Sequence, residues 1–551
     1  MGLIPALPMV ALVSVPAALA LPVLVVLSGP EALVQAFALP GYAKAAGIAV
    51  ISAGLGTVLA LVLAVALLSG VAGRSDRWLR LSMPPLLATP HAAMAVGLAF
   101  LIAPSGWLIR LLSPWATGLD RPPLFSMVQD PWGLSLAVGL AIKELPFFVL
   151  LALSATRRDS LQPAFRAAIS LGYDRHTAFA KIIAPHLLKA LNLPIVIAFI
   201  YGISAVDMAS VLGPTTPPPL SVLALNQVSD PSAEGWRLGL ALSLHLTVLT
   251  FAALLILGGL VATMRAVAGR WASNGNRRSL VGTALAAASL VGRGTLVFAV
   301  LALLSLLLWA FAQRWRFPAP WPQSWTGLDW VWARGLMSVE SLNTLWLALA
   351  SALIGLLLAL AFVLAERQAR TVTTRGAMAW SGLAVLPLLI PQMTLIPALL
   401  LIDLNGLRLP PWMLALWGHV MFTAAYGYLT LRGPIMALDP RYRQVALALG
   451  RPRWQALLLV ELPILLRPIM ASLAIGLSVS VAAYLSTLTL GQGRIETFTI
   501  EAVSAASGGS RRTAAQFALA QAFWALLFFF SALSVPDLLY RRRRGLAAHV
   551  A

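Results

Sequence analysis

LGYDRHTAFAKIIAPHLL, residues 171–188, and LGRPRWQALLLVELPILL, residues 449–466, are two versions of one polar segment in a chain that is otherwise mostly apolar. A constant offset of 278 residues, from position 171 to position 449, places identical Leu, Gly, Arg, Ala and Pro residues in register. The offset is about half of the 551 residues. Since an internal repeat sets the organisation of a whole chain, the pair predicts a duplicated unit.

The composition is that of a membrane protein. Hydrophobic residues make up 60% of the chain and charged residues 11%, and the mean hydropathy is +0.86. Soluble domains contain about 45–50% apolar and about 25% charged residues. Apolar runs of about 20 residues recur, and each can cross a hydrocarbon core of about 30 Å. Because backbone groups in lipid must be satisfied within each segment, we expect an all-α polytopic membrane protein.

Twelve spanning helices are predicted, six on each side of a polar, basic segment. They lie at about 7–28, 45–70, 81–104, 133–156, 192–213, 237–264, 295–313, 342–366, 377–403, 411–431, 466–488 and 515–538. The first run begins without a basic leader region, so we interpret it as a span rather than a cleaved signal peptide. The predicted organisation is a first half at 1–270, a linker at 271–294 and a second half at 295–551.

The distribution of basic residues predicts the orientation. With the N-terminus in the cytoplasm, the inner loops hold 27 of the 39 Lys and Arg residues, including Arg541 to Arg544, and the outer loops hold 11. This bias follows the positive-inside rule and also places the C-terminus in the cytoplasm. The net charge of +20 is therefore mostly a topology signal. Nucleic-acid binding is disfavoured, because short scattered loops form no groove-sized basic patch.

The two repeated segments are predicted to be short cytoplasmic helices. We refer to residues 163–190 as the first loop and residues 440–468 as the second loop. Six spans per half put both loops on one side, as in a parallel duplication about an axis normal to the membrane. In each loop a helix ends at a glycine suited to a left-handed turn, an amphipathic helix presents charge and an aromatic residue, and a proline closes it. The residues carrying this pattern are Ala168, Gly172, Arg175, Phe179 and Pro185 in the first loop, and Ala446, Gly450, Arg453, Trp454 and Pro463 in the second.

This pattern resembles the EAA loop of ABC-importer permeases. The doubled form resembles fused permeases of the iron(III), thiamine and polyamine branch, and implies the type I ABC importer permease fold in two parallel six-helix halves. The sequence departs from the motif at its glutamate position, which holds Arg166 in one half and Gln444 in the other. The resemblance implies that both loops, through the ten residues above, dock on a cytoplasmic ATPase.

The resemblance also implies partners, since this chain has no phosphate-binding loop of its own. Such a loop needs Gly-Lys-[Ser/Thr], and none of the four lysines follows a glycine or precedes Ser or Thr. ATP and Mg²⁺ are therefore expected in two copies of an ATPase subunit, with no cofactor in this chain. An extracytoplasmic binding protein would deliver the solute, and the location implied is the bacterial inner membrane.

Ionisable residues inside spans are candidates for the translocation pathway, because such groups are costly in a bilayer. Lys143 and Glu144 lie in the fourth span and Asp207 in the fifth. The repeat aligns Asp207 with a segment that contains Tyr484 and Ser486. A structural salt bridge or a helix cap is an open alternative for Asp207. His91 and His419 have no neighbours with metal-ligand spacing, so no metal site is expected.

The tryptophan-rich segment 315–332 has two interpretations: an aromatic belt at the outer membrane surface, or a docking surface for the binding protein. The leading function is the permease subunit of an ATP-driven importer. The alternative is a secondary transporter with two six-helix halves driven by an ion gradient. An enzyme is disfavoured, because the sequence contains no nucleophile elbow, zinc motif or paired carboxylates, and the solute stays unassigned.

Overall fold

The computed structural model describes residues 4–73, 77–125, 127–155, 161–326, 338–369, 374–508 and 510–540. These residues are almost entirely helical, as the composition predicts. The described strands, Ala312–Arg314 and Ser324–Trp325, form one antiparallel ribbon. The basic segment Arg541 to Arg544 lies outside the described residues.

Helices follow one another in the same order in both halves. Those of the first half are Ile4–Ala6, Leu7–Met9, Val10–Ser14, Val15–Ala38, Tyr42–Val71, Arg77–Ala88, His91–Ile102, Trp107–Leu112, Leu134–Ala155, Leu161–Ser170, Arg175–Ala178, Phe179–Ile183, Ala184–Ala190, Asn192–Ser204, Asp207–Leu212, Leu220–Val228 and Ala233–Ala272. Those of the second half are Leu280–Phe311, Val339–Ala369, Thr374–Leu389, Gln392–Ile402, Asp403–Leu407, Pro411–Ala437, Arg441–Ala448, Arg453–Ala456, Leu457–Glu461, Leu462–Ile464, Leu466–Ala482, Tyr484–Leu490, Phe498–Gly508 and Arg511–Tyr540.

The number of apolar spans among the described residues is smaller than predicted. Eight helices are long and apolar enough to cross a bilayer: Ile4–Ala38, Tyr42–Val71, His91–Leu112, Leu134–Ala155, Ala233–Ala272, Leu280–Phe311, Val339–Gln368 and Arg511–Tyr540. Three bent pairs raise the count to eleven: Arg175–Ala190 with Asn192–Ser204, Trp380–Leu389 with Gln392–Leu407, and Arg453–Ile464 with Leu466–Ala482. The helix at the remaining predicted span, Pro411–Ala437, has 27 residues but is less apolar, because it carries buried polar groups such as His419.

The linker is shorter than the predicted 271–294. Helix Ala233–Ala272 runs into it, and helix Leu280–Phe311 begins well before the predicted start at 295. The Ser279 hydroxyl caps the second of these helices by accepting a hydrogen bond from the Gly282 N–H at 3.1 Å, as is typical of serine at this position. Only residues 273–279 lie outside both helices.

The fifth-span helix, which follows the loop in each half, packs in the same way in both halves. A Cβ added at Gly202 would lie 3.3 Å from the Cβ of Ala53, and one added at Gly476 would lie 3.3 Å from the Cβ of Ala352. In both places a glycine lets the fifth-span helix approach the second helix of its half closely. The two halves therefore share their internal packing.

The first helix of each half, however, packs against the other half. Ser14, in the N-terminal helix, donates a hydrogen bond to the Leu383 carbonyl of the second half at 3.0 Å. Helix Leu280–Phe311 packs in turn on the first half, where Gly97 leaves no room for a side chain beside the Ala302 carbonyl. The largest apolar cluster accordingly draws residues from both halves, so that the halves form one packed body.

Two antiparallel helices define the ends of this body. Helices Leu280–Phe311 and Arg511–Tyr540 pack side by side. The Arg511 guanidinium lies 5.1 Å from the ring centroid of Trp309, so the C-terminal end of the first helix meets the N-terminal end of the second. We call this the distal end.

Both loops lie at the opposite end, which we call the loop end. The Thr177 hydroxyl of the first loop is 3.2 Å from the Ser279 hydroxyl, next to the start of helix Leu280–Phe311. The Tyr540 hydroxyl, at the end of the last helix, donates to the Pro463 carbonyl of the second loop at 2.5 Å. The loops thus share one face, as a parallel duplication requires.

Candidate functional site

The glycine in each loop terminates a helix with the same backbone motif. Gly172 has φ +86° and Gly450 has φ +78°, the left-handed region in which glycine is favoured. The residue after each glycine donates its N–H to the carbonyl of Ala168 or Ala446, at 3.1 Å in both loops. This six-to-one bond defines a Schellman motif, which explains why alanine and glycine recur together.

The chain after each glycine is helical for longer than predicted. Helices Arg175–Ala178 and Arg453–Ala456 continue through one π turn, at Phe179–Ile183 and Leu457–Glu461, into a further helical segment. The prediction that Pro185 and Pro463 close the helix is therefore wrong. Both prolines lie in the first turn of that further segment, directly after the π turn.

The two loops differ in the surface that they expose. Phe179 is only 1% exposed and packs into the core, so the prediction that the first loop presents an aromatic residue is wrong. Trp454 is 61% exposed in the second loop, as predicted. Arg175 turns inward to donate to the Gly70 carbonyl at 3.4 Å, whereas Arg453 is exposed.

The linker between the halves braces the first loop. The Lys181 ammonium donates to the Asn274 side chain at 2.8 Å and to the Asn276 carbonyl at 3.0 Å, and it lies 5.2 Å from the Trp271 ring centroid. The Asp174 N–H donates to the Arg277 carbonyl at 2.9 Å. These contacts fix the first loop against a segment about one hundred residues away in the sequence.

An ion pair holds the second loop instead. Glu461, the last residue of its π turn, accepts a hydrogen bond from Arg367 at 3.0 Å. Arg367 also donates to the Leu438 carbonyl at 3.2 Å. Since the Glu461 side chain is almost fully buried, this pair ties the second loop to helix Val339–Ala369.

The fifth-span helix is broken in both halves at matching positions. Helix Asn192–Ser204 ends at Ala205, with φ −63° and ψ 117°, and helix Leu466–Ala482 ends at Ala483, with φ −71° and ψ 90°. A short helix begins immediately after each break. Asp207 starts the first of these and Tyr484 the second. Broken helices at a repeat interface are a common way to build a transport site.

Asp207, at the first of these breaks, is connected to Glu144 through the side chains of Tyr201 and His91. The Tyr201 hydroxyl donates to Asp207 at 3.2 Å, and His91 Nε2 lies 3.5 Å from Glu144. The rings of His91 and Tyr201 are stacked with centroids 4.4 Å apart. These four side chains therefore form one contiguous polar group inside the bundle.

Lys143 and Ser486, also predicted to line the pathway, are oriented towards other helices. The Lys143 ammonium donates to the carbonyls of Leu87 and Leu86, at 2.9 and 3.5 Å, where helix Arg77–Ala88 ends. This contact satisfies backbone acceptors that the break would otherwise leave without partners. Ser486 is buried and lies against helix Pro411–Ala437 at Gly418.

His419 belongs to a hydroxyl network rather than to a metal site. Its Nδ1 is 2.7 Å from the Ser480 hydroxyl and its Nε2 is 2.9 Å from the Thr487 hydroxyl. Among the described residues, no group of three or more His, Asp or Glu side chains is arranged to hold a metal ion. The sequence contained Ser480 and Thr487, but gave no signal of this network.

The tryptophan-rich segment folds onto the distal end of the protein. Arg110 is buried, with its guanidinium 5.0 Å from the ring centroid of Trp315 and 5.6 Å from that of Trp309. The rings of Trp107 and Trp321 are 5.7 Å apart. These contacts join the two halves, a role that neither sequence interpretation included. Trp330 and Trp332 lie outside the described part of the chain.

Comparison with known proteins points to a transport subunit. No protein-family model matches the sequence. The chain is 29% identical over 480 residues to the inner membrane ABC transporter permease protein YnjC of Escherichia coli (strain K12), over 85% of this chain and 82% of that protein. The similarity supports the ABC transporter permease family, an all-α polytopic fold in the inner membrane, and a membrane transport subunit rather than an enzyme.

Proposed function

We propose that this chain is an ABC transporter permease, as its similarity to an inner membrane permease suggests, and that it imports a small solute with energy from ATP. We also propose that it is a fused permease of the kind found in the iron(III), thiamine and polyamine branch. The observation that carries the proposal is the pair of loops. Both loops have the same Schellman motif and the same π turn, at an offset of 278 residues. Both also lie at the loop end of the protein. Two copies of a cytoplasmic ATPase, each with ATP and Mg²⁺, would dock there.

The loops are connected directly to the middle of the bundle. The first loop bends by 62° into helix Asn192–Ser204, and the second bends by 73° into helix Leu466–Ala482. Those helices end at the breaks that place Asp207 and Tyr484. A displacement of either loop by a closing ATPase dimer would therefore move one wall of the pathway.

The distal end offers a surface for an extracytoplasmic binding protein. A cleft of about 660 Å³ lies there between the halves. Its walls include Asp230, Trp236 and Arg237 from the first half and Leu401 and Asn405 from the second. Solute released into this cleft would lie at the junction whose opening the loops control.

An ion-gradient-driven secondary transporter is the second candidate, favoured by the carboxylates of Glu144 and Asp207 inside the bundle. Such a carrier has no need of matched docking loops on one face. Both candidates place substrate in the middle of the bundle, so the loops decide between them.

Accessibility of the loops tests the proposal. Because the chain has no cysteine, single cysteines can be introduced by Arg451→Cys in the second loop, Asn276→Cys in the linker and Asp120→Cys in an exposed segment of the distal end. We expect a membrane-impermeant thiol reagent to label positions 451 and 276 only from the cytoplasmic side, and position 120 only from outside. Labelling of either loop-end cysteine from outside would exclude docking of an ATPase there.

A further inference from the structure

An apolar groove with a volume of about 350 Å³ lies on the outside of the bundle where the two halves meet. Its walls come from helices Tyr42–Val71 and Leu134–Ala155 of the first half and from helix Leu280–Phe311 of the second. We call it the side groove, and its walls include Leu59, Leu63, Val138, Ile142, Gly294 and Phe298. Val138 and Gly294 are exposed, so the side groove opens to the surroundings of the bundle rather than to its interior.

A charged residue without a partner lies at the edge of the side groove. Arg293 directly precedes Gly294 and Thr295, which both line the groove. The arginine is exposed, and no described residue accepts a hydrogen bond from it or forms an ion pair with it. A guanidinium carries five N–H donors and is always charged. The donors of Arg293 are therefore free for an acceptor that is not part of the described chain.

A second donor without a partner lies at the same place. A Cβ added at Gly70 would lie 3.4 Å from Nη2 of Arg293 and 2.5 Å from the hydroxyl of Ser289. Ser289 is 3% exposed, and its hydroxyl has no hydrogen-bond partner in the described part of the chain. A buried hydroxyl without a partner is costly. Two such donors beside Gly70 favour a ligand with several acceptor oxygens, such as a phosphate group.

The position of Arg293 along its helix corresponds to the membrane surface on the side of the loop end. Before Arg293 the helix packs on the first loop, where Gly282 leaves no room for a side chain beside Thr177. After Arg293 it rises about 27 Å to its end at Phe311, at 1.5 Å per residue, which is close to the hydrocarbon thickness of about 30 Å. Arg293 is therefore at the level of the lipid head groups, and the side groove is at the level of the acyl chains.

We propose that an anionic phospholipid binds here, with its phosphate on Arg293 and Ser289 and one acyl chain in the side groove. Basic pockets between spanning helices on the cytoplasmic side commonly bind acidic head groups. A zwitterionic phospholipid also has a phosphate, but its own cation competes with Arg293 for it. A free phosphate ion would leave the side groove empty, so a lipid is the occupant that accounts for both features.

The bound lipid would join helix Leu280–Phe311 to the first half and so stabilise the contact between the halves. The site requires only that the chain spans the membrane, and it does not depend on the import function proposed above.

Binding of lipids to the purified full-length chain tests the proposal. The chain in detergent is titrated with phosphatidylglycerol and with phosphatidylcholine of the same acyl chains, and bound lipids are counted by native mass spectrometry. Inorganic phosphate and glycerophosphoglycerol serve as probes without acyl chains. We expect one phosphatidylglycerol to bind at least about fivefold more tightly than phosphatidylcholine, and neither chain-free probe to bind. Equal binding of the two lipids, binding of a chain-free probe, or a second copy of this chain in place of lipid, seen as a dimer, would overturn the assignment.

Variants locate the lipid. Arg293→Gln should weaken phosphatidylglycerol binding about fivefold and remove the preference over phosphatidylcholine, whereas Arg293→Lys should retain most of the preference because the charge remains. Gly294→Phe places a ring in open space at the side groove, so it should weaken the binding of both lipids. Unchanged binding in both Arg293→Gln and Gly294→Phe would contradict the site.

Two control variants separate this site from the general properties of a basic, apolar chain. Arg270→Gln removes another exposed arginine, near the end of helix Ala233–Ala272. Gly259→Phe adds the same ring at another exposed helical glycine with open space around it. Both controls should bind the two lipids as the original chain does. A loss in Arg270→Gln equal to that in Arg293→Gln would mean that the lipid is attracted by basic charge in general, which contradicts a built site.

Discussion

Gly450→Val is expected to remove most ATP-coupled transport while leaving the chain in the membrane. The φ of Gly450 is +78°, a region that costs an ordinary L-residue about 1–2 kcal/mol and is a genuine outlier for a β-branched one. A side chain added there meets no atom within 4 Å, so the effect is conformational rather than steric. Loss of the Schellman motif would redirect helix Arg453–Ala456 and the exposed Trp454 away from the ATPase.

Two variants serve as controls for this prediction. Gly450→Asn should retain most activity, because asparagine tolerates the left-handed conformation. Gly433→Val introduces the same side chain at an exposed helical glycine that also has open space around it. Gly172→Val should also lose coupling, but less severely, because the linker braces the first loop. The assay is ATP hydrolysis by the reconstituted complex, with co-purification of the ATPase. Full hydrolysis in Gly450→Val and Gly172→Val would show that the loops do not couple ATP hydrolysis to transport.

Arg367→Met is expected to destabilise the protein by about 3–5 kcal/mol, the usual cost of leaving a buried charge without its partner. The side chain of Glu461 is 2% exposed, so water cannot replace Arg367. The double variant Arg367→Met with Glu461→Leu should recover most of this loss, because no charge then remains buried. Unfolding by denaturant, followed by tryptophan fluorescence, measures both.

A second ion pair at the loop end provides the matched comparison. Arg467 donates to Asp537 at 2.9 Å, and the Asp537 side chain is 70% exposed. Arg467→Met should therefore cost less than about 1 kcal/mol. Equal losses for Arg367→Met and Arg467→Met would mean that burial of Glu461 does not determine the strength of the first pair.

Features that depend on a few adjacent residues of the repeat could be predicted from the sequence. Gly172 and Gly450 have the left-handed conformation expected of helix-ending glycines, because a Schellman motif depends on a few adjacent residues. Helical architecture followed from composition for a similar reason. The two prolines were misinterpreted, since a proline after a π turn and a proline that ends a helix look alike in sequence.

Contacts between distant segments could not be predicted. The burial of Phe179 and the exposure of Trp454 depend on which neighbouring helix lies beneath each loop. The bracing of Lys181 by residues of the linker depends on a register that no local pattern specifies. Lys143 is predicted to line the pathway because its charge lies in a span, and its hydrogen bonds to carbonyls at a break in another helix could not be foreseen.

The positions of the breaks in the helices also could not be predicted from the sequence. Pro90 precedes His91 and marks the break between helices Arg77–Ala88 and His91–Ile102. The break at Ala205 carries neither proline nor glycine, so the segment 192–213 was predicted as one continuous span. Its position became visible only through the backbone angles of Ala205, and with it the placement of Asp207 beside Tyr201.

Crosslinking from the second loop identifies what docks at the loop end. A photoreactive label attached to the cysteine of Arg451→Cys can be activated in native membranes, and the crosslinked peptides identified by mass spectrometry. We expect peptides from an ATPase that contains a Gly-Lys-[Ser/Thr] phosphate-binding loop, and none from the same label at Asp120→Cys. Adducts at position 451 with lipid or with a second copy of this chain, and none with an ATPase, would contradict it.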